Sequence, residues 1–161
     1  MLENLLPPIL GVLGLLAAYY LYRVIKRRPV GEARVAEIGE QIHLGAMVFM
    51  KREYKILAIF GAIVFVLLVL SLGINTGIAY LVGAFASGLA GYFGMFTATS
   101  ANMRTTTAAN KEGAAAALTV AFFGGSVMGL LVASMGLLGL GMLYFFFGAD
   151  TESAHAIHGF G

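Results

Sequence analysis

Residues 56–103 read ILAIFGAIVFVLLVLSLGINTGIAYLVGAFASGLAGYFGMFTATSANM, 48 positions without one charged side chain. As a single helix they would extend roughly 72 Å, against a bilayer hydrocarbon core of about 30 Å. The stretch must fold back on itself. Its only turn-like break near the middle is SLGINTG, residues 71–77, with two glycines and an asparagine. Two membrane spans follow, about 54–72 and about 76–100.

The rest of the composition agrees. Of 161 residues, 60% are hydrophobic and 11% charged, and the mean hydropathy is +0.89. A soluble domain carries about a quarter charged residues. This chain cannot cover its surface with polar groups, so its solvent is lipid. With no cysteine, disulfides and thiolate metal sites are excluded.

Two further spans lie outside the central pair. Leu5–Tyr22 is one, with Pro7 and Pro8 in its expected first turn, where a missing N–H costs little. Glu3 precedes it, and RVIKRR follows in place of a small-residue cleavage site, so it reads as a retained span. The last uncharged run, 113–149, is near 55 Å as a helix, and no Asn, Asp or Pro interrupts it. It reads as one long helix, about 114–147, overhanging the membrane, with Gly136, Gly139 and Gly141 as places to kink. The expected fold is an all-α polytopic membrane protein, one region over 1–161 with four transmembrane helices.

Charge sets the expected orientation. Arg23, Lys26, Arg27, Arg28, Arg34, Lys51, Arg52 and Lys55 fall between the first two spans, and Arg104 and Lys111 between the last two. All ten basic residues share one side, which the positive-inside rule assigns to the cytoplasm, leaving both termini outside. Within 34–53, Val35, Ile38, Ile42, Ala46 and Phe49 recur at helical spacing. That segment predicts a cytoplasmic amphipathic helix feeding the second span, its apolar side against protein or headgroups.

Few residues invite chemistry. In FFGGSVMGLLVASMG, 122–136, the glycines lie inside a hydrophobic run without the lysine a phosphate cradle needs. The Gly125–Gly129 step, like Ala84–Gly88 and Ser87–Gly91 in the third span, instead suits close helix packing. His155 and His158 near Asp150 and Glu152 imitate a metal site but lack a third ligand fixed by spacing, so a solvated tail is expected. His43 is expected at a surface or packing position. Tyr19, Tyr20, Tyr22 and residues 144–147 suit aromatic belts, and the eight methionines fill gaps. Span three carries small residues all round, from Gly83, Ala84 and Ala86 to Gly94, more than four helices can use. The chain alone is therefore expected to insert but pack loosely.

The stretch 94–113, GMFTATSANMRTTTAANKEG, is the odd one. Arg104 can mark the interface, and hydroxyls and amides can satisfy backbone where a helix leaves lipid. Yet the polar run starts at Thr97 and Thr99, before the span should end. Such a helix would most naturally pack against other protein.

At these residues the sequence resembles the membrane-bound, ion-translocating pyrophosphatases. Gly94-Met95, Ala98-Thr99, Ala101-Asn102, Arg104-Thr105 and the segment from Gly124 to Gly129 match the family pattern, and IGEQIHLGAMVFMKREYK, 38–55, resembles the approach to its second helix. The resemblance covers essentially the whole chain. It implies homodimers of sixteen-helix subunits, with an inner ring of six helices and an outer ring of ten to which the first four belong. They hydrolyse pyrophosphate to two phosphates with Mg²⁺ on the cytoplasmic side and export protons or sodium across the membrane. It further implies that the catalytic carboxylates, in DxxxD-type motifs, begin on a fifth helix, past Gly161.

With one aspartate and seven glutamates, scattered, this chain cannot gather the oxygens that several Mg²⁺ ions and a diphosphate require. No catalytic, cofactor-binding or metal residue is therefore expected in it. The expectation is an outer-ring portion of a pump, a fragment or incomplete product inactive alone, in a plasma membrane. Its partners would be lipid, the remainder of the pump and, in the complete enzyme, a second subunit; no nucleic acid is expected. The competing reading is a stand-alone four-helix assembly partner or small oligomeric channel. Against it, the apolar runs of the spans hold no charged residue, while ion paths commonly carry ionisable groups.

Overall fold

The computed structural model describes residues 2–147 and 157–160, and the regular structure among these is helical throughout. Helix α1 spans Leu2–Lys26, α2 Ala33–Leu72, α3 Ile74–Lys111 and α4 Ala114–Phe147, followed by a short 3-10 turn, His158–Phe160. All four long helices are long and apolar enough to cross a membrane. The chain is a multi-pass membrane protein.

The helices overshoot the spans read from hydropathy. At 40 and 38 residues, α2 and α3 extend roughly 60 and 57 Å, about twice the hydrocarbon thickness. The excess lies at the end carrying the basic residues. The stretch 34–53 is thus no separate helix but the first half of α2, and 101–111 is helix, not loop. Helix α1 starts at Leu2, so Pro7 and Pro8 lie inside it, beyond its first turn. There Pro8 packs where a side chain on Gly141 of α4 would stand.

The central fold-back is tighter than its sequence suggests. A single residue, Gly73, separates α2 from α3; its φ of +93° and ψ of 170° are open to glycine and strained for any residue with a Cβ. Its N–H bonds the Val69 carbonyl at 3.1 Å, closing the end of α2.

Helix α2 packs on α3, α3 on α4, and α4 on α1, giving an open row in the order α2–α3–α4–α1. The seams are made of small residues. Gly11 and Gly14 of α1 meet Ser134 and Leu138 of α4; Gly94 and Ala101 of α3 meet Met128 and Gly124 of α4. Half of the buried apolar residues are alanines, and Ala18, Ile25, Ala101 and Val127 form a cluster where α1, α3 and α4 converge. Large side chains point outward instead: Leu70, Leu118 and Phe146 are more than 70% exposed. This is the pattern of helices packed in lipid, where close backbone approach holds the bundle and apolar bulk faces acyl chains.

Correspondingly, the apolar stripe expected against protein or headgroups is not the side of α2 that meets α3. Gly39 and Met50 are buried, while Ile38, Ile42 and Phe49 of the hydrophobic periodicity stay exposed. A Cβ at Gly125 or Gly129 would likewise touch nothing among the described residues. It is the neighbouring Gly124 and Val127 that are buried.

Candidate functional site

The polar stretch of α3 is dense in side-chain hydrogen bonds. Its threonines remain helical because their hydroxyls fold back on the preceding turn. Thr99 reaches the Met95 carbonyl at 3.0 Å, Thr105 that of Ala101 at 3.0 Å, Thr106 that of Asn102 at 3.1 Å, and Thr107 that of Met103 at 3.0 Å. Each hydroxyl has a carbonyl acceptor one turn back, which lets it lie in an apolar setting, and the one proton of Thr107 is shared between Met103 and a carbonyl outside the helix.

The inward-facing members also grip neighbouring elements. Thr107 Oγ1 lies 2.8 Å from the Val30 carbonyl in the α1–α2 connector. Buried Arg104 donates Nε–H to the Arg28 carbonyl at 3.2 Å and Nη1–H to the Ser100 carbonyl at 2.6 Å. Its charge is therefore spread onto backbone oxygens rather than onto an acid. Outside it, Arg28 pairs with Glu112 at 2.9 Å, joining the end of α1 to the α3–α4 turn.

Helix α2 is pinned to the same helix. His43 Nδ1 lies 2.7 Å from Thr99 Oγ1, and since that hydroxyl's one proton has carbonyl acceptors at 3.0 and 3.1 Å, an Nδ1-protonated imidazole satisfies the whole set. The His43 ring also stands edge-on to Phe96, centroids 5.1 Å apart. Three turns towards the other end, Tyr54 donates its hydroxyl to the Gly88 carbonyl at 2.6 Å. His43 is thus a packing residue, as one of its expected roles had it.

This burial corrects one expectation. Thr97, Thr99, Ser100, Arg104 and Thr107 are buried by the chain's own helices and connector, not by helices absent from it. What stays open is the opposite face, Asn102, Thr106 and Asn110. Beside it runs a groove of about 390 Å³ between α3 and α4, lined by Ala98, Asn102, Thr105, Ala121 and Gly125.

The region holds one buried cation and a row of hydroxyls. Among the described residues no three His, Cys, Asp or Glu side chains come together. Glu112 is engaged with Arg28 and Glu37 with Arg34. Of the histidine–acid tail, Asp150, Glu152 and His155 lie outside the described residues, and His158 sits in the 3-10 turn. That turn seats Phe160 in a notch between Gly83 of α3 and Gly139 of α4, a use of these glycines that spacing alone did not reveal. The arrangement is a joint: it fixes α1, α2 and their connector against α3.

Comparison with known proteins gives the region its context. A model of the family described as inorganic H+ pyrophosphatase matches residues 12–161. The K(+)-insensitive pyrophosphate-energized proton pump 2 of Moorella thermoacetica is 41% identical over 155 residues, covering 94% of this chain and 23% of the relative. A putative K(+)-stimulated pyrophosphate-energized sodium pump of Clostridium tetani is 42% identical over 142 residues, covering 88% and 21%. The K(+)-stimulated pyrophosphate-energized sodium pump of Thermotoga maritima is 40% identical over 140 residues, covering 86% and 19%. The chain spans about a fifth to a quarter of the length of these relatives.

Proposed function

This chain belongs to the inorganic H+ pyrophosphatase family, and on that premise we propose that it builds peripheral membrane scaffold of a pyrophosphate-energised ion pump, leaving hydrolysis and ion transfer to other helices. The observation that carries this reading is the mismatch of coverage: nearly all of this chain is matched, but only about a fifth of each relative. The chemistry points the same way. Eight acidic residues, scattered along the sequence and two of them engaged with arginines, do not supply a site for Mg²⁺ and a diphosphate. In the complete pump Mg²⁺ would be held elsewhere.

The basic end of the row would face the cytoplasm, since all ten Lys and Arg residues gather there. The partners are the lipid bilayer, the remaining helices of the pump and a second subunit. The exposed Asn102, the groove beside it and the unused Gly125–Gly129 step give those helices a surface of small residues with a hydrogen-bonding group, the features that hold helices together in lipid.

The test is complementation. The Moorella pump deprived of the segment this chain matches should hydrolyse pyrophosphate poorly, and co-expression with this chain should restore Mg²⁺-dependent hydrolysis in membranes. No restoration, with both chains inserted and co-purifying, would oppose the scaffold reading.

A further inference from the structure

A second groove opens between α1 and α3, floored by α4. Its volume is about 560 Å³, within the range that holds small-molecule ligands. The walls are Leu15, Tyr19 and Tyr22 of α1 and Phe93 and Phe96 of α3, over Leu131 of α4. Apart from the buried Thr97 and the tyrosine hydroxyls, the lining side chains are apolar. Along α1 the groove runs from Leu15 to Tyr22, about 10 Å. At the basic end it narrows where Tyr22 meets Phe96, ring centroids 6.4 Å apart.

Two cations continue the same face of α1 beyond the apolar walls, each one turn after a groove tyrosine. Arg23 donates to the Tyr19 hydroxyl at 3.3 Å, with its guanidinium carbon 5.8 Å from that ring's centroid. Lys26 Nζ stands 5.6 Å from the Tyr22 ring centroid. Neither makes an ion pair among the described residues, whereas Arg28 and Arg34 both do. The tyrosines therefore hold two unneutralised positive charges at the end of an apolar trough, at the depth where a headgroup lies.

We propose that this groove binds one anionic phospholipid, an acyl chain lying between α1 and α3 and the phosphate resting on Arg23 and Lys26. Charge complementarity selects the occupant. A transmembrane helix seeks small residues that let backbones approach. This trough presents tyrosine, phenylalanine and leucine, which suit a flexible hydrocarbon chain, and its cations suit a phosphate. The small-residue groove between α3 and α4 has the opposite character. The assignment does not depend on the pump reading.

The test is native mass spectrometry of the 161-residue chain released from nanodiscs containing equal phosphatidylglycerol and phosphatidylcholine. The wild type should retain one phosphatidylglycerol in preference to phosphatidylcholine. Arg23→Gln with Lys26→Gln should reduce that preference about thirtyfold, the product of two basic residues acting near an anionic headgroup. Leu15→Trp, which fills the trough, should reduce retention of both lipids, while Lys51→Gln with Arg52→Gln on α2 should leave the preference intact. Circular dichroism on each variant should show wild-type helix content. Equal retention of the two lipids by the wild type would overturn the proposal, as would an unchanged preference in the Arg23/Lys26 variant. So would an equal loss in the Lys51/Arg52 variant, or exclusion of the lipid when the remaining pump helices are co-expressed, which would make a helix the occupant.

Discussion

The Nε–H of Arg104 is bonded to the main-chain carbonyl of Arg28 at 3.2 Å, tying the polar end of α3 to the residues where α1 gives way to the connector. The same guanidinium holds its own helix through the Ser100 carbonyl. The buried cation thus bridges main-chain oxygens of two elements and clamps one to the other.

Replacing Arg104 by leucine should remove both bonds and lower stability by about 2–3 kcal/mol, since hydrogen bonds from a charged donor are the stronger kind. Arg104→Lys has one donor atom where two separate nitrogens are needed, and should lose roughly half as much. Thermal unfolding in mild detergent measures both. A neutral Arg104→Leu would show that the clamp does not hold the helices.

The connector has a matching weak point. Gly31 adopts φ +100°, and a Cβ there would collide with the Thr107 hydroxyl that contacts the Val30 carbonyl. Gly31→Ala combines backbone strain with loss of that contact and should cost about 2–3 kcal/mol. Thr107→Val, which loses only the hydroxyl, should cost about 1 kcal/mol. Equal effects would mean the glycine conformation carries no strain.

Between α2 and α3 the Tyr54–Gly88 bond offers a cleaner deletion. Tyr54→Phe leaves the ring and removes a 2.6 Å bond to a helix carbonyl. The expected loss is about 1 kcal/mol. Faster proteolysis at the α2–α3 turn, with α1 and α4 still associated, should accompany it; an unaltered cleavage pattern would argue against a pinning role.

The Arg28–Glu112 pair should matter little. Both side chains are nearly half exposed, and exposed ion pairs contribute about 0–1 kcal/mol. Glu112→Gln should shift stability by less than about 1 kcal/mol, and added salt should erase the difference. A larger, salt-independent loss would assign that carboxylate a role beyond the surface pair.

The four spans were legible because a charge-free run too long for one crossing admits few solutions, and a helix count needs only lengths. The limits of the helices were less so. Hydropathy stops near Ser100, but the threonines that follow satisfy their own hydroxyls on the preceding turn and let α3 run on to Lys111. For the apolar stripe of α2 periodicity left two settings open, protein or headgroups, because it cannot tell one apolar neighbour from the other; here glycine, histidine and tyrosine face α3 and Ile38, Ile42 and Phe49 face out. The glycine motif at 125 and 129 was recognisable as a packing element, but sequence could not say that this chain leaves it unused. The buried set around Arg104 was visible as an oddity of composition; its partners, the carbonyls of residues 28 and 30, leave no side-chain signature at all.

The reading as scaffold is tested most directly by phosphate release from pyrophosphate with Mg²⁺, measured on this chain purified by itself and reconstituted in lipid. Background-level release alongside an active full-length relative is the predicted result. Sustained Mg²⁺-dependent turnover by the chain alone would contradict it.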